Sequence, residues 1–285
     1  MRGKRSEARN SEHPRRITGA SSWSESLVTD LDLTEEQIER YSRHILLKEV
    51  GGKGQKTLLR SSAFVVGAGG LGSASLLYLA AAGVGKLGIA DSETVDLSNL
   101  QRQIIHGTAD IGKSKVLSAI KAILRINADC EICPFDERLT EKNIRQILHG
   151  YDIVLDGSDN FETRFLVADT CWTEKISLVS AAAVGFEGQL LTVLPAKGNP
   201  CYRCLYPELP MDGEVPTCQE AGVLGAVVGV LGTLQAVEAL KILLGVGSDL
   251  SHRLLAFDAL RCRFVAGNRL VNPACSHGAA LARTG

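Results

Sequence analysis

The sequence predicts an α/β fold, a doubly wound, largely parallel sheet with helices on both faces and an antiparallel extension on the C-terminal side. Three observations predict it. Apolar strand-like runs alternate with helical stripes from Ser61 to Ala168, the order that yields a parallel sheet covered on both faces. A glycine cluster, Gly67-Ala-Gly69-Gly70-Leu-Gly72, stands between an apolar run and a helical stripe, where a chain can bring its backbone against a phosphate. The composition, 45% hydrophobic and 22% charged over 285 residues, is that of a globular chain with one large core or two modest ones.

Taken in order, residues 1–32 read as a flexible tail. Arg2, Lys4, Arg5, Arg9, Arg15 and Arg16 lie among polar residues with no apolar run, which excludes a secretory signal; an organelle transit peptide is the rival reading, against which Glu7, Glu12 and Glu25 weigh. Cytoplasm is the default location. The folded part, 33–280, reads as a single domain. It opens at Thr34 with a capping box to Gln37 and a helix whose stripe is Ile38, Tyr41 and Ile45. Gly51, Gly52 and Gly54 are expected to break that helix. Ser61–Val66 is the first strand, Leu71–Ala82 a helix, Lys86–Ala90 the second strand, Lys113–Ile126 an amphipathic helix and Cys130–Phe135 the third strand. Glu141–Leu148 is a further helix and Tyr151–Leu155 a strand; the polar turn Asp156-Gly-Ser-Asp-Asn160 leads into a helix through Ala168. Ile176–Ala181 and Gly188–Leu194 add strands, and Arg253–Phe257 with Cys262–Val265 extend the sheet antiparallel. Gly222–Gly247 is apolar, but Gln235, Glu238 and Lys241 interrupt it before it reaches spanning length, so it reads as a buried helix and not a membrane segment.

Charge narrows the partners. With 31 basic against 32 acidic residues the formal net charge is -1, which removes any broad electrostatic case for nucleic acid. Eight cysteines without a secretion signal point to metal ligands, redox thiols or buried small residues in preference to disulfides.

The glycine cluster, in its strand-to-helix context, makes the fold Rossmann-like, and Asp91 at the end of the next strand is placed to accept from ribose hydroxyls. To this point an NAD enzyme fits equally well. The polar loop after Asp91 contains Asn99 and Arg102, and Lys115 opens the next helix. Each cation taken alone reads as a solvated surface charge; together they suit phosphoryl or adenylyl transfer, in which Arg and Lys hold a triphosphate and neutralise developing charge. Hydride transfer has no use for them. Cys201-Tyr-Arg-Cys204, in a proline-flanked turn, has the spacing of half a tetrahedral zinc site. Cys130-Glu-Ile-Cys133 has the same spacing within a strand, where positions three apart face opposite ways. Cys171 and Cys262 read as core residues.

From Leu33 to His277 the chain resembles the MoeB/ThiF/HesA family, relatives of the ubiquitin-activating enzymes. The resemblance rests on R-Y-S-R-H-I-L-L, G-A-G-G-L-G, the D-x-E-x-V-D-x-S-N-L-Q-R-Q loop, D-G-S-D-N, P-C-Y-R-C-L and T-C-Q-E-A-G-V, in that order. It implies an adenylyltransferase. ATP and the C-terminal glycine carboxylate of a small β-grasp sulfur-carrier protein ending in Gly-Gly would give acyl-adenylate and pyrophosphate, within a homodimer. It implies a nucleotide-binding part at about 60–160 and a carrier-binding and metal part at about 176–278. Gly67, Gly69, Gly70 and Gly72 would approach the phosphates, Asp91 the ribose, and Asn99, Arg102 and Lys115 the polyphosphate. Asp159 matches the family's Mg2+-associated aspartate, and Arg43 an arginine contributed across the dimer interface. No general base is needed, because a C-terminal carboxylate with a pKa of about 3.5 is already an anion.

The resemblance also bears on the cysteines. The family's second Cys-x-x-Cys is incomplete here: Cys275 stands at the third-ligand position, but the fourth is Gly278, leaving His277 as an unconventional ligand for Zn2+ and packed thiols as the alternative. Cys218 aligns with a cysteine that some members use to receive the activated carrier, and is a nucleophile only conditionally; an inert loop cysteine is the other reading. The chain ends soon after His277, so a separate sulfur donor is expected in place of a rhodanese domain. Whether the carrier feeds molybdopterin, thiamine or cysteine is not written in the residues. A nicotinamide dehydrogenase leaves the later motifs unexplained; a non-catalytic carrier scaffold is admitted by the missing cysteine but has no need of Arg43, Arg102, Lys115 and Asp159 together.

Overall fold

The structure, a computed structural model, describes residues 33–196, 198–211, 221–275 and His277; the tail at 1–32 and Cys218 lie outside the described residues. Thr34 Oγ1 accepts from the Gln37 N–H at 3.2 Å and Gln37 Oε1 accepts from the Thr34 N–H at 3.1 Å, closing the capping box that starts α1 (Glu35–Arg40). The single helix expected here is two. Tyr41 (φ -100°, ψ 12°) separates α1 from α2 (Ser42–Ile45) because its ring is driven inward to 2% exposure, where its hydroxyl accepts from Asn127 Nδ2 at 2.9 Å. Gly83, with φ +84°, makes the room: a Cβ there would lie 2.6 Å from the Tyr41 ring. Helix α2 ends at Ile45, before the glycines, and the next, α3 (Gly51–Arg60), opens on Gly51, whose φ of +57° marks the break between the two. A Cβ on Gly54 would lie 3.1 Å from both Leu244 and Val50, so packing and not chain breaking accounts for that glycine.

The alternating part follows as β1 (Ser62–Val66), α4 (Gly70–Ala82), β2 (Lys86–Ala90), α5 (Lys115–Ile126), β3 (Glu131–Phe135), α6 (Ile144–Leu148), β4 (Ile153–Asp156), α7 (Phe161–Glu174) and β5 (Ser177–Val184). Then come β6 (Glu187–Val193), α8 (Tyr202–Leu205), α9 (Gly225–Leu244), β7 (Arg253–Asp258) and β8 (Arg263–Asn268). The sheet order is β3-β2-β1-β4-β5-β6-β7-β8. The first five are parallel and the last three antiparallel. Strands β1 and β4 are buried throughout, which is why they read as unbroken apolar runs. Strand β3 is half-exposed and carries Pro134, as an edge strand tolerates.

One core lies under α4, α5 and α9; the other lies under α6 and α7. Gln235, Glu238 and Lys241 do not shorten α9 below spanning length as expected, since by length and composition it is long and apolar enough to cross a membrane; it packs against α4, with Gly232 so close that a Cβ would lie 2.3 Å from the Leu71 carbonyl oxygen. Its buried polar residues are bonded into the sheet. Gln235 Nε2 donates to the carbonyls of Asp156 and Val179 at 2.8 and 3.1 Å, and Glu238 accepts from the Leu250 N–H at 2.6 Å and the Thr192 hydroxyl at 3.2 Å. Of the remaining cysteines, Cys171 is buried, whereas Cys262 is exposed. The Cys262 expectation fails because the residue ends the turn between β7 and β8 at φ +48°, not a strand. Cys130 lies buried against the Val84 carbonyl, and Cys133 is half-buried.

Strand order reverses between β1 and β4, since β2 and β3 lie on one side of β1 and β4 with β5 on the other. Crevices for ligands form beyond the carboxyl ends of strands at such a reversal. The loops that follow β1 and β4 meet there: a Cβ on Gly67 would lie 3.2 Å from the Gly157 carbonyl oxygen.

Candidate active-site cleft and metal centre

The loop after β1 is shaped by its glycines and pinned by an acid and an imidazole. Gly67 takes φ +87°, which favours glycine. Gly69 and Gly70 line the cleft at the strand reversal. Gly72 corrects its expected role: it does not line the cleft, and a Cβ there would lie 1.8 Å from the Gly67 carbonyl oxygen. It lets α4 fold tightly back on the loop. Asp91 Oδ2 accepts from the Ala68 N–H at 2.8 Å and its Oδ1 from the Glu93 N–H at 2.9 Å. Burial pushes the Asp91 carboxyl above its ordinary range, against the backbone N–H groups and Lys115, which draw it down. Beneath the loop, buried His106 contacts the Ala68 carbonyl through Nε2 at 2.9 Å and the Ser118 hydroxyl through Nδ1 at 2.8 Å. A carbonyl only accepts, so Nε2 carries the proton and Nδ1 accepts from Ser118; burial lowers the pKa and keeps the ring neutral.

The polar loop after β2 sets out the cations. Asn99 Oδ1 accepts from the Asp96 N–H at 3.0 Å, and Asp96 Oδ1 from the Ser98 N–H at 2.8 Å, fixing a tight turn. Arg102 donates from NH1 to the Ser98 carbonyl at 3.1 Å. The Lys115 side chain is 4% exposed at the first residue of α5, where the helix dipole is positive and disfavours a cation. It donates to Glu93 Oε2 at 2.5 Å, a carboxylate whose own side chain is 64% exposed. Stability alone gives no reason for a buried ammonium at a positive helix end. A phosphate would.

After β4, Asp156 is fully buried and works as an anchor. Its Oδ1 accepts from the Ser158 N–H at 3.0 Å and hydroxyl at 2.6 Å, and its Oδ2 from the Ser180 hydroxyl at 3.0 Å. Arg164 NH2 donates to the Ser158 carbonyl at 2.5 Å, and Asn160 Oδ1 caps α7 by accepting from the Thr163 N–H at 2.9 Å. The loop so fixed presents Asp159 exposed into the cleft, with Asn160 Nδ2 at 3.4 Å. A carboxylate held out in this way, with lone pairs to spare, suits a hard oxygen-seeking cation such as Mg2+.

Gly67, Gly69, Gly70, Asp91, Asn99, Arg102, Lys115 and Asp159 therefore line one cleft of about 210 Å3. Arg43 does not; it is exposed on α2. Residues that the motif reading missed are Asp156 and His106, whose burial only the fold reveals, together with Arg138 and Gln103 on the cleft wall. Gln103 Oε1 is buried without a hydrogen-bond partner among the described residues, as is expected of a group held for a bound ligand.

At the other end of β6, Cys201 Sγ lies 3.7 Å from Cys204 Sγ and 3.4 Å from Cys275 Sγ. Tetrahedral zinc with bonds of about 2.3 Å would separate its sulfurs by about 3.8 Å. A ring nitrogen of His277 lies within 4.8 Å of the Cys201 and Cys275 sulfurs. His277 Nδ1 is buried with no hydrogen-bond partner among the described residues, and burial lowers the imidazole pKa, leaving a neutral ring with a lone pair. Burial and the neighbouring sulfurs push the Cys201 thiol far up, so ionisation of these thiols calls for a cation. Arg269 supplies a further indication. It is 4% exposed, and among the described residues its guanidinium donates only to carbonyls: Thr192 at 2.7 Å, Ser251 at 3.3 Å, and Pro200 and Cys201 at 3.2 Å. Three thiolates and Zn2+ sum to -1, the charge that a buried, unbalanced arginine lacks. Cys201, Cys275 and His277 lie together as zinc donors would, and Cys204 stands beside Cys201 but outside the set whose donor atoms all lie within 4.8 Å of one another.

A profile described as the ThiF family matches residues 41–276. The chain is 46% identical over 245 residues to the SAMP-activating enzyme E1 of Haloferax volcanii, covering 86% of this chain and 90% of that one. It is 49% identical over 249 residues to the adenylyltransferase and sulfurtransferase MOCS3-1 of Zea mays, and 50% over 232 residues to MOCS3 of Bos taurus. Those matches cover 87% and 81% of this chain but 53% and 51% of the relatives, so the chain spans about half their length. In fold it is similar to the crystal structure of E. coli MccB with ATP, with TM-score 0.73, 18% identity and coverage of 87% of this chain and 75% of that one. It is also similar to PaaA, with TM-score 0.70, 20% identity and coverage of 83% and 84%.

Proposed function

The chain belongs to the ThiF family, and from that premise we propose that it adenylylates the C-terminal glycine carboxylate of a small ubiquitin-like sulfur carrier ending in Gly-Gly, using ATP and Mg2+. A carboxylate oxygen of the carrier attacks the α-phosphorus of ATP, the bond from that phosphorus to the bridging oxygen of the β-phosphate breaks, and pyrophosphate leaves. Two anions must approach, so the chemistry asks for positive charge and alignment and not for a base. The observation that carries the reading is the convergence of Asn99, Arg102, Lys115 and Asp159 on the glycine loop in one cleft. Backbone at Gly67, Gly69 and Gly70 receives phosphate, Asp91 receives the ribose, and Arg102 and Lys115 neutralise the leaving group. Mg2+ at Asp159 supplies Lewis-acid neutralisation of the polyphosphate. Arg43, outside the cleft of its own chain, acts on the cleft of a second copy in a homodimer.

Zn2+ held by Cys201, Cys204, Cys275 and His277 supplies a structural cross-link between the turn after β6 and the segment after β8. After adenylylation Cys218 accepts the activated carrier; a covalent carrier adduct that persists in Cys218→Ser would remove that role. The adenylylation itself is tested by mass spectrometry of the carrier after incubation with ATP and magnesium. An added AMP on the carrier, absent with Asp159→Ala, is the expected result. An unmodified carrier across a panel of Gly-Gly proteins overturns the reading.

A further inference from the structure

The metal centre has a feature that the cysteines do not explain. Asp169 and Trp172 sit three residues apart on α7 and so on one face of it. Both meet His277: the Trp172 and His277 rings stack at 6.0 Å with 13° between planes, and Asp169 Oδ1 lies 3.8 Å from His277 Nε2. Asp169 is itself held rigidly. Arg203, from within the Cys201–Cys204 turn, donates to its Oδ1 at 2.8 Å through Nε and to its Oδ2 at 3.0 and 2.7 Å through Nε and NH2. The ring is thereby set with one nitrogen facing a carboxylate and the other, Nδ1, buried and unpartnered among the described residues.

We infer that Asp169 is a positioning residue for a Cys3His metal centre, holding His277 with Nε2 protonated so that Nδ1 offers its lone pair beside the Cys201 and Cys275 sulfurs. This rests on the zinc reading above and adds to it. A neutral imidazole has one proton for two nitrogens; a carboxylate 3.8 Å from Nε2 is too far for a hydrogen bond in this structure but favours the proton on that nitrogen by its charge, the part that outer carboxylates play behind metal-bound histidines. Arg203 links the arrangement back to the cysteine turn, so a change at Asp169 is felt through the histidine and not only through the turn's own packing.

The test is zinc affinity of the full chain, measured by competition with a chromophoric chelator, for wild type, Asp169→Asn, His277→Ala and the double variant, with Arg203→Met as control. Asp169→Asn is expected to weaken zinc by about 10–100-fold, and to weaken it much less once His277 is Ala. Arg203→Met, which releases Asp169 but keeps its carboxylate, is expected to weaken zinc less than Asp169→Asn. Cobalt-substituted protein reports the ligand directly: its ligand-field bands should move on His277→Ala. Unchanged zinc affinity in Asp169→Asn, or an equal loss in the His277→Ala background, overturns the inference while leaving zinc in place. A wild-type chain that takes up no zinc overturns the metal reading itself.

Discussion

Lys115 shows how a single residue separates stability from function. Its ammonium is buried at the positive end of α5, and its partner Glu93 is largely exposed, so the pair contributes little to folding once desolvation is counted. Lys115→Met keeps the shape of the side chain without the charge. We expect thermal unfolding within a few degrees of wild type, while carrier-dependent pyrophosphate exchange falls by roughly 100-fold or more; unchanged exchange would remove Lys115 from the phosphate site. His106 makes the converse point. Its folded pKa lies below the ordinary value of about 6.5, so below that pH the unfolded chain binds a proton that the fold refuses. The contribution of His106 is thus complete above about pH 6.5 and is lost as pH falls towards the depressed folded value. Wild type should lose unfolding midpoint between pH 7 and pH 5 more steeply than His106→Gln, and parallel profiles would contradict this. Neither effect was legible from the motifs alone. Spacing placed Asp91 at a ribose and Lys115 among the cations for a triphosphate, but the buried role of His106 depends on Ala68 and Ser118, which only the fold brings to it.

At the scale of elements, the glycine loop and α4 carry two kinds of glycine that look alike in sequence. A Cβ on Gly72 would strike the Gly67 carbonyl at 1.8 Å, whereas one on Gly69 would meet nothing nearer than Gln103 Nε2 at 3.7 Å. Gly72→Ala should therefore cost about 3 kcal/mol, the upper part of the usual overpacking range, read as a drop in the urea midpoint. Gly69→Ala should fold normally and lose nucleotide affinity. Equal stability of the two variants would refute the division. Strand positions were legible because buried parallel strands are continuous apolar runs. Three features were not, each for a long-range reason. The break at Tyr41 follows from burial against Asn127 and Gly83, α3 starts on glycines because Leu244 packs over Gly54, and Cys262 stands in a turn that depends on β7 and β8 pairing.

Over the whole molecule, the parallel half makes the crevice and the antiparallel half closes the sheet beside the cysteine cluster. The α/β order was legible because local patterns alternate; the convergence of the loops after β1 and β4 was not, since it depends on the strand reversal. Arg43 lies outside the cleft of its own chain, so its proposed role needs a second copy. Mixing inactive Arg43→Ala with inactive Asp159→Ala should restore part of the exchange activity, because one cleft of the mixed dimer then has both groups. Failure to restore any, with mixed dimers present, would contradict action across an interface.

The most direct test of the central claim is ATP–pyrophosphate exchange with magnesium, adding small carriers that end in Gly-Gly one at a time. The account predicts exchange that appears with a carrier, is absent without it, and is lost in Asp159→Ala. Tight ATP binding with no exchange for any carrier would contradict it.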